Sequence, residues 1–339
     1  GKSGSPHGVM ISHQCVLHRL SRQSEGWGMR QEDRVALLFP QNAASAIDTV
    51  FGALTNGASI FSYKLALTDA DDVLKKLETD QISYMQLAPH DLRQLMTQMI
   101  DAPSLQALRL VRVIGDSVYS TDIERFQKLF AEACELHVGF GCTETGDLLN
   151  SVFNKSSKCR FGVVALDQLD KGLRIEIRNE SGEPTKDGEI GELVVKGEYL
   201  FSGYWGYSKR ENQVLFPDEN STSESVFYTG DLASRLPNGQ LEWVGRTDSQ
   251  IKIRGFRVEI SEVEHALLGT PGISLAAVVV NETELGCREL VAFLVPEKNV
   301  GIDEEFIRKQ LETVLPEVMI PNLFLQVDTL PLGSTAGAA

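Results

Sequence analysis

The 339-residue sequence has no Cys-x-x-Cys pair, and its five cysteines, Cys15, Cys134, Cys142, Cys159 and Cys287, show no zinc-site spacing with histidine. A disulfide framework and a structural zinc are therefore not expected, and the thiols read as reduced. No stretch of 18 uninterrupted apolar residues occurs, and residues 1–20 lack a charged segment followed by an apolar run. Neither a spanning helix nor a secretory leader is expected, which points to a cytoplasmic protein. Positive charge is scarce: 32 Lys and Arg stand against 47 Asp and Glu, a formal charge of -15. That field repels nucleic-acid phosphates and anionic membranes, so neither is an expected partner, and an anionic ligand must be held by local groups. Internal repeats and low-complexity tracts are also lacking. What remains, 42% hydrophobic and 23% charged residues, is the balance of a soluble globular chain long enough for two or more packed units.

From residue 34 to about 141, short apolar runs alternate with helical patterns. Strands are expected at Arg34–Phe39, Ile82–Leu87, Leu108–Ile114 and Leu136–Phe140, with helices over Ala43–Leu54, Asp71–Leu77, Asp91–Met99 and Thr121–Cys134. This βα alternation predicts an α/β, doubly wound parallel sheet over about residues 1–150. After Gly146 short alternating strands, including Leu173–Arg178 and Glu192–Lys196, predict a β-rich part over about 151–247. Beyond Asp248 the pattern changes again, to strands at Gln250–Arg254, Leu275–Val280 and Glu289–Val295 and helices at Ser261–Leu268 and Asp303–Leu315. Residues 248–339 are expected to form a small α+β lobe.

Four segments stand out chemically. Gly245–Gly255 places Arg246 and Asp248 at the expected domain junction, then alternates Ile251 and Ile253 inward with Lys252 and Arg254 outward. The alternative is a hairpin with solvated charges. In Phe227–Asp231 a Thr-Gly turn would leave Asp231 exposed at a strand end, where a carboxylate can accept two hydrogen bonds from a diol; an Asp capping its own turn is the competing reading. Gly139–Gly146 closes an expected parallel strand, with Phe140 suited to stack on a base and Thr143 and Glu144 offering oxygens to phosphate and a divalent cation. The alternative there is a strand-to-helix turn with capping residues. Gly1–Gly8 is a Gly/Ser loop whose backbone could cradle phosphate, though it lacks P-loop spacing and a chain start could equally carry a tag remnant.

The order of these motifs, joined by Gly188-Glu-Ile-Gly-Glu-Leu193 and Gly203-Tyr204, resembles the adenylate-forming superfamily, most closely nonribosomal peptide synthetase adenylation domains. The likeness covers about residues 1–333 and starts at the phosphate loop, so the family's N-terminal subdomain lies outside it and a longer, multidomain parent is expected. The resemblance implies activation of a carboxylic acid with ATP and Mg²⁺ as acyl-adenylate, then transfer to the phosphopantetheine thiol of a carrier protein domain. By position it assigns Ser3 and Gly4 to the phosphate loop, Phe140 to adenine, Thr143 and Glu144 to phosphate and Mg²⁺, and Asp231 and Arg246 to the ribose. Asp248 becomes the hinge, Gly255 lines the thiol's approach, and Gly115, Asp116 and Ser117 line the substrate pocket beside the nucleotide.

Departures from the family pattern shape the expectation. Leu330–Gly337 matches a family ending in an adenylation lysine but places Gly337 there, while Lys252 and Arg254 remain as cations on the other face of the lobe. Lys252 is the candidate catalytic cation. The phosphate loop carries His7 and Lys2 where a lysine and a hydroxyl residue are usual. Where amino-acid activators place an Asp against the α-ammonium, this sequence has Ala44, with Asn42 two residues away. An unpaired buried ammonium costs several kcal/mol, so an α-keto, α-hydroxy, aryl or alkyl acid is expected instead of an α-amino acid. An acyl- or aryl-CoA ligase and a catalytically silent scaffold domain are the competing readings.

Overall fold

The computed structural model describes residues 8–26, 28–38, 44–63, 70–99, 105–206, 214–219, 221–247, 250–254, 256–283, 287–296, 301 and 303–330. Two compact units are present, one spanning His7–Thr247 and one formed by residues from Asp248 onward.

The first unit opens with β1 (Val9–Met10) and α1 (His13–Gly26), then alternates β2 (Arg34–Leu37), α2 (Ala44–Thr55), β3 (Ser59–Ser62), α3 (Ala70–Thr79), β4 (Tyr84–Leu87), α4 (Pro89–Gln98), β5 (Leu110–Val113), α5 (Ser120–Leu129) and β6 (Glu135–Cys142). β4 and β5 are buried at every position, as befits parallel strands covered on both faces. The helices fit one-sided burial: α4 starts with Pro89, whose missing N–H has no intrahelical partner to lose, and turns Leu92, Leu95 and Met96 inward. The parallel strands stack in the order β3-β2-β4-β5-β6, with α1 packed on α2, α3 on α4 and α4 on α5. The α/β sheet expected from the βα alternation is present, while α1 and β3 carried no clear periodicity and were not expected. α5 ends at Leu129, short of Cys134.

The next two strands, β7 (Gly146–Phe153) and β8 (Gln168–Leu169), extend this sheet antiparallel to seven strands. The β-rich sheet follows, built from β9 (Leu173–Arg178), β10 (Ile190–Gly197), β12 (Leu215–Pro217), β13 (Ser225–Arg235) and β14 (Leu241–Arg246), all antiparallel. β11 (Gly203–Tyr204) pairs separately with β1. One apolar core runs from Met85 and Val111 through Phe153 and Leu166 to Leu193, Phe201 and Phe227, which joins the two sheets into one body.

The second unit comprises the hairpin β15 (Gln250–Ile253) and β16 (Phe256–Glu259), helix α6 (Ile260–Leu268), strands β17 (Ile273–Glu282) and β18 (Arg288–Pro296), helix α7 (Glu304–Glu312) and β19 (Leu323–Gln326). β17, β18 and β19 form a sheet over a separate core that includes Val258, Val263, Leu290, Leu294 and Leu311. Among the described residues no helix is long and apolar enough to cross a membrane.

One buried ion pair fixes the loop after β5. Arg93 of α4 donates from Nε and a terminal nitrogen to the two oxygens of Asp122, at 2.8 and 2.7 Å, and also to the Ser117 carbonyl at 2.9 Å. Asp122 accepts in turn from the Tyr119 N–H at the head of α5. Asp122→Ala would leave a guanidinium buried without its charge partner, so it should lower stability by about 3–5 kcal/mol in urea unfolding.

Candidate functional site

The strand order reverses between β2 and β4, and open α/β sheets bind ligands beyond the carboxyl ends of their strands at such a reversal. Helix α2 begins just beyond β2, and the Gln86 side chain of β4 spans the gap by donating to the Ser45 carbonyl at 3.4 Å. Ala44 is the first residue of α2 and is half-buried. Gly115, Asp116 and Ser117 follow β5 at the same edge of the sheet; Gly115 has φ +110, and the Asp116 carboxylate accepts from the Ser117 N–H.

The Gly139–Gly146 segment closes a parallel strand as expected and is not the strand-to-helix turn of the competing reading. β6 continues two residues past Phe140, and the chain returns as a strand rather than a helix. Two glycines make that reversal possible. A Cβ at Gly141 would lie 1.9 Å from the Gly146 carbonyl oxygen, and Gly146 has φ +68 with the Arg19 side chain against it. The Thr145 hydroxyl accepts from the Cys142 N–H, and the Thr145 N–H donates to the Cys142 carbonyl, which closes the turn. Phe140 is half-buried and packs at the edge of the core. The Thr143 carbonyl accepts from the Arg19 guanidinium of α1 at 3.0 Å. Glu144 is 1% exposed; Oε1 accepts from the Tyr204 hydroxyl at 2.6 Å, and its carbonyl accepts from the Phe201 N–H. Tyr204 was noted in the sequence only as part of a motif, because its partner is 60 residues away.

Asp231 also lies elsewhere than expected, inside the long strand β13 and not where a strand ends. The expected turn is a bulge: Glu192 pairs with Leu232 and Val194 with Tyr228, so Thr229, Gly230 and Asp231 bow out, with Gly230 at φ +73. The bulge re-aims Asp231 toward its neighbour strand, where Oδ1 accepts from Arg246 at 3.0 Å and from the Trp243 indole at 3.1 Å. Both donors converge on one oxygen, and Oδ2 accepts nothing among the described residues. Glu144 and Asp231 both act on the Cys142 thiol, which burial first and then these two carboxylates push up to about 12. The structure thus brings Phe140, Thr143, Glu144, Asp231 and Arg246 into one neighbourhood.

Ser3, Gly4, Asn42, Asp248, Gly255 and Gly337 lie outside the described residues. Lys252 is in β15 of the other unit, paired with Arg257. Among the described residues no group of three His, Cys, Asp or Glu gathers to hold a metal. The oxygen donors Thr143 and Glu144 suit a hard cation such as Mg²⁺, which takes few protein ligands and is completed by phosphates and water.

Residues 1–205 match the AMP-binding enzyme family, and residues 262–336 match its C-terminal domain. The chain belongs to the AMP-binding enzyme family. It is 31% identical over 335 residues to bacitracin synthase 3 of Bacillus licheniformis, covering 98% of this chain and 5% of that protein. It is likewise 31% identical to surfactin synthase subunit 2 of Bacillus subtilis, covering 98% of this chain and 9% of that one. The chain thus spans less than a tenth of these two relatives. Its fold matches the Vibrio cholerae adenylation domain AlmE, solved with glycyl-adenosine-5'-phosphate, with a TM-score of 0.84 at 22% identity over 98% of this chain and 62% of that one.

Behind the hairpin lies a charged group that the sequence reading missed. Arg112 of β5 is fully buried and pairs with Asp147 at 2.6 Å and Asn150 at 3.0 Å, both on β7. An arginine in the apolar run Leu108–Ile114 was the available signal. Asp48 of α2 belongs to the same cluster, and its carboxyl is pushed up to about 6, first by burial and then by Asp147, against the pull of Arg19 and Arg112. The unfolded chain ionises Asp48 from its ordinary 3.8 upward, while the folded protein holds the proton until about 6. Stability therefore falls as pH rises through that window and stays lower above it. Asp48→Asn should raise stability at pH 8 by roughly 1–3 kcal/mol and confer no gain below pH ~4, as read from denaturation midpoints at the two pH values.

Proposed function

We propose that this chain activates a carboxylic acid with ATP as the acyl-adenylate and hands the acyl group to the phosphopantetheine thiol of a carrier protein domain. The observation that carries the reading is the Asp231 cluster beside Glu144. A carboxylate with both donors on Oδ1 has Oδ2 left for a ribose diol, a few residues from an aromatic face and a phosphate-directed hydroxyl. The peptide synthetase relatives support carrier transfer, with a multidomain parent supplying the carrier.

In this reading Phe140 lies against adenine, Asp231 and Arg246 fix the ribose, and the Thr143 hydroxyl donates to the phosphates. Glu144, held by Tyr204, and Thr143 would hold Mg²⁺; when bound, the ion neutralises phosphate charge so that an anionic carboxylate can approach. Arg19 anchors the Thr143 carbonyl and so keeps that hydroxyl in place. Ser3 and Gly4 would close on the phosphates, Asp248 would be the hinge of the second unit, Lys252 would bring its cation to the reaction, and Gly255 would border the thiol's path. Ala44, Asn42 and Gly115–Ser117 would line the acid's pocket. With Ala44 in place of a carboxylate, the acid lacks an α-amino group.

ATP–pyrophosphate exchange against keto, hydroxy, aryl, alkyl and amino acids tests this, on the parent protein and on this chain. Exchange with an acid lacking the α-amine is expected; exchange with α-amino acids alone overturns the Ala44 argument. Silence with every acid while ATP still binds would favour the scaffold reading, in keeping with Gly337 at the lysine position. Asp231→Asn should raise the KM for ATP roughly 10–100-fold, the loss of a charge-assisted hydrogen bond, with a smaller effect on the KM for the acid.

A further inference from the structure

The motif Gly188-Glu-Ile-Gly-Glu-Leu193 has no task in the activation reading, yet its Glu192 stands beside the bulge that carries Asp231. In the β10–β13 ladder Glu192 pairs with Leu232 and Val194 with Tyr228, so Thr229, Gly230 and Asp231 stand opposite Leu193 alone. The bulge interrupts the ladder, and its backbone groups need other partners. The Thr229 hydroxyl donates to the Leu193 carbonyl at 2.8 Å and accepts from the Asp231 N–H at 3.0 Å. The Thr229 carbonyl accepts from Arg246 at 3.2 Å, and the Gly230 carbonyl from the Thr247 N–H at 2.8 Å. The Gly230 N–H donates to Glu192 Oε1 at 3.0 Å. Glu192 is thus the side chain from β10 that completes the bulge, through a charge-assisted bond.

A cross-strand ion pair would be the ordinary use of such a glutamate, and Arg178 of β9 stands directly opposite it. Arg178, however, gives its guanidinium to Glu176 and to the Tyr228 hydroxyl, and Lys196 is likewise paired with Glu176. Glu192 turns the other way, to Gly230. That glycine is the pivot of the bulge: at φ +73 and without a Cβ, its peptide rotates readily once its N–H has no acceptor, and Asp231, the next residue, turns with it. Resting on the activation reading, in which Asp231 receives the ribose diol, we propose that Glu192 is a positioning residue: by holding the Gly230 N–H it fixes the peptide that sets where Asp231 Oδ2 meets the ribose.

Titration calorimetry of the parent protein with ATP and with 2′,3′-dideoxy-ATP, both with magnesium, tests this without the acid. ATP should lead the dideoxy nucleotide by roughly 10–100-fold, as the loss of charge-assisted hydrogen bonds to a diol requires. Asp231→Asn should remove most of that lead. Glu192→Ala should narrow it to a similar extent while changing the Kd of dideoxy-ATP by less than about twofold, and adding Asp231→Asn should cost little more, because the two act through one contact. Glu192→Gln keeps an acceptor and should keep most of the lead. Glu192→Asp keeps the charge but is one methylene shorter and should lose it, so this pair decides the matter where alanine impairs folding. A lead that survives Glu192→Ala and Glu192→Asp, or an equal weakening of both nucleotides, overturns the positioning role while leaving acid activation standing. A lead that Asp231→Asn leaves intact, or no lead in the unaltered protein, overturns the ribose assignment and this inference with it.

Discussion

A guanidinium with no exposed surface sits at the centre of the large sheet, and much of the site depends on how it is compensated. Removing Arg112 from water is costly unless its charge is paired and its donors are met. Asp147 supplies the charge partner and Asn150 an acceptor, both from β7, so Arg112 has them only when β7 has folded back along β6 in register. Between them Gly139 carries no side chain, and a Cβ there would stand 2.7 Å from the guanidinium. The pairing that stabilises the sheet edge is therefore the same event that places Thr143 and Glu144 at the tip of the hairpin. Arg19 reinforces it from the opposite element, with its guanidinium against Gly146 and on the Thr143 carbonyl.

The remaining polar groups fall into two kinds. Asp33 and Arg109, like Arg93 and Asp122, are reciprocally satisfied, and the Arg109 guanidinium holds the Asp33 carboxyl below its ordinary range despite the opposing effect of burial. Such pairs tie strands and helices together and leave little for a ligand. Asp231 is different: it is buried, and its Oδ2 accepts nothing among the described residues. Groups of this kind weaken a fold unless a bound molecule completes them, which is how binding sites differ from structural ion pairs.

The βα alternation, the change to short strands after Gly146 and the lobe beyond Asp248 were legible because each rests on local periodicity. β4 and β5 read as strands from four or so buried residues in a row, and α4 from its proline start and three inward apolar side chains. The site was legible where chemistry and motif coincide in a few neighbouring residues, as at Thr143, Glu144 and Asp231. It was not legible where the partner comes from far along the chain, as with Tyr204 on Glu144 or Asp122 on Arg93.

The amino-acid sequence by itself determined which segments become strands and helices, the negative field of the surface and the order of motifs that marks the AMP-binding family, since all of these follow from adjacent residues and their spacing. Only the tertiary structure decided that Gly139–Gly146 is a hairpin, that Asp231 lies in a bulge, and that Arg19, Asp48, Arg112 and Asp147 share one cluster. Those facts depend on strand register and on which elements become neighbours. Register and neighbourhood are set by burial summed over the whole fold, and no local stretch of sequence encodes that sum.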